Sequence, residues 1–336
     1  MKPITAVVFG VGVMGQDMTR LLLERGVSIV GAVARSPEKV GRDLGRVAGV
    51  GRDLGVLISS DADKLLAGLG ADVAVIAVDS YLDSHAEHIA TCVRHGLNVV
   101  TIAEEAFHPW GTAPETAARL DALARQHGVT IYGGGHQDIF WAGIGGLLMG
   151  ASHRVDEVRW RTDFNPEGLS RELLLEMGIG CDPSELPVDD GQARPPSFGI
   201  AAVDAVAAHL GLPRGTVSVH SEPVIGTEPI YSAALRREVP PGQIVGVRDT
   251  VRRDEGPGEP LLEFTMIGSI SALEPGDSWQ VIGKPGFKLS SRYTPGHDQV
   301  TGQAVNRIPD VLAAAPGWAA FDSLPPLRYR RTFSRP

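Results

Sequence analysis

The sequence predicts an α/β fold: a doubly wound parallel sheet followed by a second α+β domain with an open, mostly antiparallel sheet. Three observations predict it. Up to Gly135, short apolar runs alternate with segments of helical spacing, the pattern of strands buried on both faces and separated by helices. Beyond Gly135, strands such as DEVRWRTDF (Asp156–Phe164) alternate polar and apolar residues, the mark of a sheet wet on one face. At 336 residues, the chain is also too long for one ordinary core.

The elements follow in order. ITAVVF is the first buried strand, and MGQDMTRLLLERG is a helix that stops at Gly26. VSIVGAVA, GVLISS and DVAVIAV are the next strands, with the helical DADKLLAGLG before the last of them. SHAEHIATCVRHG, LNVVTI, APETAARLDALARQHG and VTIYGGG complete a helix–strand–helix–strand run. In the second half, SRELLLEMG and FGIAAVDAVAAHLG read as helices among the strands GTVSVHSEPV, QIVGVRDTVRR, PLLEFTMIGSI and SWQVIGKPGFKLSS, with EGPGEP a surface turn. A final helix, QVTGQAVNRIPDVLAAAPG, precedes a Pro-rich tail. The expected domains are residues 1–138, completed by 297–336, and residues 139–296.

Composition narrows the function. With 31 basic and 40 acidic residues the formal net charge is −9, and no Lys/Arg cluster stands out, which argues against nucleic acid or an anionic membrane as partner. Cys92 and Cys181 lie far apart with no CxxC, so neither a zinc site nor a disulfide framework is expected. His85, His88 and His95 fall at helical spacings, but no acid or further His converges on them; they read as solvated, and no metal is expected. A strand begins within four residues of Met1, which leaves no room for a signal peptide, and no apolar run approaches the roughly 18–20 residues that cross a bilayer. The expected setting is cytoplasmic.

FGVGVMG carries Gly10, Gly12 and Gly15 in the GxGxxG spacing, after the first strand and at the start of a helix. That context makes it the dinucleotide fingerprint of a Rossmann domain, with Gly10, Gly12, Val13, Met14 and Gly15 forming the cradle for a pyrophosphate. An NAD-preferring site places an acid about 20 residues further on. That position is Arg35, and no acid ends the strand; Arg35, Ser36 and Lys39 suit a 2′-phosphate instead. The expected cofactor is NADP(H), with NAD(H) also accepted because nothing repels its ribose.

The strand LNVVTI ends in adjacent carboxylates, Glu104 and Glu105. Ligands of doubly wound sheets bind outside the carboxyl ends of the strands, so this tip belongs to the active crevice. Adjacent residues leaving a strand point to opposite sides, so one acid faces the crevice and spacing does not say which. The surrounding loop, EEAFHPW, is largely apolar and would push a carboxyl pKa upward.

At this point the chain resembles the dihydrodipicolinate-reductase-like dehydrogenases, and within them the 2,4-diaminopentanoate dehydrogenase and native amine dehydrogenase group. FGVGVMG, GLNVVTIAEE with its later HPW, and the tail HDQVTGQAVNRIPDVLAAAPGWAAFDSLPP carry the likeness. Dihydrodipicolinate reductases themselves carry a His-His pair and a Lys-x-Asp-Ala-Pro-Ser-Gly-Thr motif, neither of which is present. Sugar-type relatives place a catalytic lysine after the fifth strand, whereas only five lysines exist here and none is near. The resemblance implies an enzyme that interconverts an amine with a ketone or aldehyde plus ammonia, with Glu104, the first acid of the pair, as catalytic residue. It implies a nicotinamide or substrate contact for Asn306 in the AVNRIPD helix. The family's Gly-Thr-Gly, Asn-Pro-Gly crossover is replaced by GGGHQDIFWAG, in which His136, Phe140 and Trp141 are candidate pocket residues; the two aromatics read equally well as hinge or core packing.

The expectation is therefore an NADP(H)-dependent amine dehydrogenase acting on small carbonyl compounds and ammonia, with residues 139–296 binding substrate and forming a homodimer. The apparent lack of a fixed cation for a carboxylate tilts the reading away from 2,4-diaminopentanoate, the enzymatic alternative. A non-catalytic NADP-binding sensor is the alternative from another class.

Overall fold

The computed structural model describes residues 3–168, 171–185, 198–254, 256–272, 274–293 and 297–333. The chain divides into two units, residues 1–139 with 297–336, and residues 140–296.

The first unit runs β1 (Thr5–Phe9), α1 (Val13–Glu24), β2 (Ser28–Val33), α2 (Leu44–Val47), β3 (Ile58–Ser59), α3 (Ala62–Leu66), β4 (Val73–Ile76), α4 (Leu82–Arg94), β5 (Asn98–Thr101), α5 (Pro114–His127) and β6 (Thr130–Gly133). Its seven-stranded sheet has the order β15-β6-β5-β4-β1-β2-β3, where β15 (Gly317–Trp318) comes from the chain's far end. Every neighbouring pair is parallel. Period-two alternation sends successive side chains to opposite faces. Ile4, Ala6 and Val8 thus join Met18 and Leu22 of α1 on one side, and Val7 and Phe9 join Ile89 and Val93 of α4 on the other. Both layers are dry, which is why these strands read as continuous apolar runs.

In the second unit the order is α6 (Ile144–Gly150), β7 (Arg154–Phe164), α7 (Arg171–Glu176), α8 (Gly199–His209), β8 (Val217–Ile225), β9 (Ile230–Ser232), β10 (Arg237–Val239), β11 (Ile244–Arg253), β12 (Leu261–Ser269), β13 (Gly276–Lys284) and β14 (Phe287–Arg292). The chain then returns to the first unit as α9 (Asp298–Ala313) and β15. The six-stranded sheet β14-β13-β7-β12-β11-β8 is antiparallel except where β7 meets β12. Its inner face is aromatic: Trp160 and Trp279 stack at 4.9 Å, and Phe264 stacks on Trp160 at 5.2 Å. Gly145 of α6 has no room for a Cβ, which would sit 2.1 Å from the Trp279 ring. On the other face Arg159 and Arg161 are exposed. This is the alternation that marked DEVRWRTDF as half-wet.

The differences from the sequence reading are local. SWQVIGKPGFKLSS is two strands, β13 and β14, joined at a Lys284-Pro285 turn. Of the EGPGEP turn, Glu255 lies outside the described residues, while Glu259 accepts from Arg253 Nη1 at 2.6 Å. The expectation that His85 is solvated is corrected: it is 1% exposed, with Nε2 3.4 Å from Thr101 Oγ1. The turn of α4 points it against β5, and burial pushes its pKa down to about 4. His88 and His95 are partly exposed. Among the described residues no helix is long and apolar enough to cross a membrane, and no group of three or more His, Cys, Asp or Glu is placed to hold a metal ion.

Candidate active site

The glycine loop has the geometry that its spacing requires. Gly10 has φ +83°, and a Cβ there would meet Ala77 O at 2.2 Å. A Cβ on Gly15 would fall 1.8 Å from Gly10 O, so α1 can approach the loop only because Gly15 lacks one. Gly12 faces open space, with nothing within 4 Å of its Cβ position. As N-cap of α1 it offers no side-chain cap, and no acid lies in the first turn. Val13 and Gly12 are exposed and Met14 is half-buried. Unsatisfied N–H groups at an open helix start, with no competing anion, fit a pyrophosphate.

Beyond β2 the cluster is less cationic than its sequence suggests. Ser36 donates its hydroxyl to Glu38, and Lys39 Nζ donates to Val11 O at 2.9 Å. Lys39 therefore braces the glycine loop, Glu38 supplies the acid that the strand end itself lacks, and Arg35 is the exposed cation. The signal for Glu38 was present in ARSPEK, but only the turn geometry brings it back onto Ser36.

The two acids at the tip of β5 have different roles in the structure. Glu105 is 7% exposed; its Oε2 accepts from Leu82 N, the first residue of α4, at 2.7 Å, and its own N–H donates to Ser80 O at 3.2 Å. Glu104 is partly exposed and opens the 3-10 turn Glu105–Phe107. Burial pushes its pKa above the ordinary carboxylate range. The Asp79 charge adds to that shift, and the Ser80 hydroxyl and His136 pull the other way. Asp79 and Ser80 were not singled out from the sequence, yet they lie in the loop that leaves the carboxyl end of β4, where the carboxyl-end rule already points.

Past β6, Gly135 (φ +150°) leads into the π-helical segment Gln137–Gly143. His136 is half-buried and close enough for its charge to act on Glu104. Arg307 of α9 grips Asp138 with two hydrogen bonds, 2.6 and 2.8 Å, and Gln303 Oε1 accepts from Ile139 N at 2.9 Å. Asn306 lies between these two anchors on a helix that packs against α1, β5 and β6; its carbonyl accepts from Arg330 at 3.0 Å. In the second unit, Phe140 packs its ring on Tyr293 at 5.6 Å, and its carbonyl accepts from Trp279 Nε1 at 2.9 Å. Trp141 is 5% exposed and lies against Phe264.

Comparison with known proteins agrees with this architecture. Residues 4–135 match the oxidoreductase family with NAD-binding Rossmann fold, and residues 153–329 match the 2,4-diaminopentanoate dehydrogenase C-terminal domain. The solved amine dehydrogenase from Mycobacterium smegmatis is 42% identical, with a TM-score of 0.90 and 99% of each chain covered. The 2,4-diaminopentanoate dehydrogenase of Acetoanaerobium sticklandii is 25% identical over 340 residues, 97% of this chain and 94% of its own. The apo scyllo-inositol dehydrogenase from Lactobacillus casei (15% identity, TM-score 0.60, 93% and 89% covered) shares the fold alone. With an open dinucleotide cradle and a raised carboxyl at the tip of β5, the fold defines an NAD(P)-dependent oxidoreductase. The chain belongs to the 2,4-diaminopentanoate dehydrogenase and amine dehydrogenase group, enzymes that act on amine substrates.

Proposed function

We propose that the protein is an NADP(H)-preferring amine dehydrogenase that reductively aminates small ketones and aldehydes with ammonia and catalyses the reverse deamination. One observation carries this reading: Glu104, a carboxyl with raised pKa, heads the turn at the tip of β5 with Ser80, Asp79 and His136 as neighbours. As ammonia adds to the carbonyl, Glu104 takes a proton from the attacking nitrogen. After water leaves, its negative charge offsets that of the iminium, where a lysine would repel it. The bound nicotinamide supplies the hydride that completes the amine. His136, Phe140 and Trp141 are assigned to substrate binding, and Asn306 to the nicotinamide side. The substrate unit, residues 139–296, also forms the homodimer of a cytoplasmic enzyme.

The test is NADPH oxidation with cyclohexanone or a short aldehyde at high ammonium and mildly alkaline pH, against ammonium-free controls. Ammonium-dependent oxidation with amine as product supports the reading; equal rates without ammonium make the protein a plain carbonyl reductase. A second reading, 2,4-diaminopentanoate dehydrogenase, is favoured by the domain match over residues 153–329. It predicts NADP+ reduction by 2,4-diaminopentanoate and none by simple amines. Cofactor binding with no turnover on either substrate would leave a sensor.

Preference for the phosphorylated cofactor is assigned to Arg35, an exposed cation just past the end of β2. Arg35→Ala is expected to raise the KM for NADPH about 10- to 100-fold, from the loss of a charge-assisted phosphate contact. The KM for NADH should move less than about twofold. Equal losses for both cofactors would remove the assignment.

A further inference from the structure

We propose that Glu105 is the positioning residue for Glu104: its carboxylate caps α4 from the neighbouring loop and so holds the reacting acid in place. This rests on Glu104 as the reacting group. The observation behind it is a helix start that cannot cap itself. The N-cap of α4 is Tyr81, whose side chain makes no capping bond, and the α4 helix begins directly beside the β5 tip. The orphan N–H of Leu82 is satisfied across the gap by Glu105 Oε2 at 2.7 Å. A carboxylate suits this place, because a helix N-terminus favours negative charge. Ser80 O accepts the Glu105 N–H in return, at 3.2 Å, so the β4–α4 and β5–α5 loops are tied by two bonds through one residue.

The remaining sides of the turn are closed by packing. The Gly133 backbone lies so near that a Cβ would meet Ala106 O at 2.0 Å, and buried Phe107 packs on Phe321 at 5.7 Å between ring centroids. The three-residue turn that follows Glu104 is thereby fixed from below and beside, with the Glu105–Leu82 bond as its link to α4. Glu104, at the head of this turn, has the Ser80 hydroxyl and the Asp79 charge as neighbours from the same β4–α4 loop. Cutting the cap lets the two loops part, which moves the acid and admits water to it.

The test compares Glu105→Gln and Glu105→Ala with Glu104→Gln in the full-length protein carrying NADPH. Glutamine keeps an oxygen that can accept from Leu82 N; alanine does not. The amide is expected to hold kcat within about threefold, the loss of a helix-terminal charge. Alanine should lower kcat by about 100-fold, the scale of a small misplacement of a reacting group, with KM for NADPH unchanged. A readout free of turnover accompanies these rates. In protein labelled with [δ-13C]glutamate, the Glu104 resonance, assigned by its loss in Glu104→Gln, reports its titration. Its midpoint should fall toward the ordinary range in Glu105→Ala and stay in Glu105→Gln, whether or not ammonium-dependent turnover exists. Glu105→Gln as inactive as Glu104→Gln, with the Glu104 titration undisturbed, would overturn the proposal and make Glu105 the reacting acid. Wild-type rates and titration in Glu105→Ala would also overturn it. Should the alanine variant not fold, retained kcat and titration in the amide support the cap and their loss refutes it.

Discussion

Glu104→Gln is expected to lower kcat for reductive amination by about 1,000-fold while NADPH binds with unchanged affinity, the scale of losing a general base and its charge together. The amide keeps the volume and the polar contacts of the side chain, so the loop should stay closed; what disappears is the ability to accept a proton and to offset the iminium charge. Because burial raises the pKa of this carboxyl, the ionised form that accepts the proton becomes dominant only above the ordinary carboxylate range. The ascending limb of kcat/KM against pH should therefore lie above about 4.3, the unperturbed glutamate value. Loss of that limb in the variant, measured over pH 4–9 alongside fluorescence titration with NADPH, identifies Glu104 as the titrating group. A variant with wild-type turnover would remove Glu104 from the mechanism.

Removing one partner of the Asp138–Arg307 pair is expected to cost about 3–5 kcal/mol of stability. Arg307 is 2% exposed and Asp138 3%, so neither charge is solvated by water. Burial alone would push Arg307 down, but the Asp138 bonds and the nearby Tyr132, Asp138 and Asp310 groups hold it up. Arg307 Nη1 also donates to Pro325 O at 2.6 Å, and Tyr132 donates its hydroxyl to Asp138. Arg330 extends the network by donating to Asp310 at 2.6 Å. In Arg307→Met, Asp138 loses its charged partner, Asp310 loses one of its two cationic donors and Pro325 O loses its donor, all while still buried. Asp138→Asn with Arg307→Met should recover part of the loss, since no uncompensated charge then remains at that pair. Urea unfolding of the two single variants and the double variant measures the coupling. A cost below about 1 kcal/mol for Arg307→Met would mean that water reaches the network, because exposed pairs are worth no more than that.

Much of this enzyme was legible in its sequence, for a reason that differs by feature. The parallel sheet was readable because β4, as VAVI, is buried on both faces, and continuous apolar runs occur only where helices cover both sides. The glycine cradle was readable because a tight turn and close helix approach demand residues without a Cβ at fixed spacings, as the 1.8 Å clearance at Gly15 shows. The half-wet second sheet was readable from alternation in β7, and the family from the two acids and the AVNRIPD tail. β15 was not: two residues carry no period, and Gly317–Trp318 become a strand only because β6 lies open beside them.

What the sequence by itself determined about this protein is therefore everything set by local periodicity and by backbone chemistry at fixed spacing: two domains' worth of elements, the dinucleotide loop and an acid at the tip of β5. Only the tertiary structure decided which acid is tied to α4, that His85 points inward, and that Arg307 meets Asp138 across 169 residues. Each of those depends on where a second element lies, and a hydrogen bond reaches only about 3 Å. A pattern in the chain fixes which face a residue takes, while its partner is fixed by the neighbour that folding brings against that face.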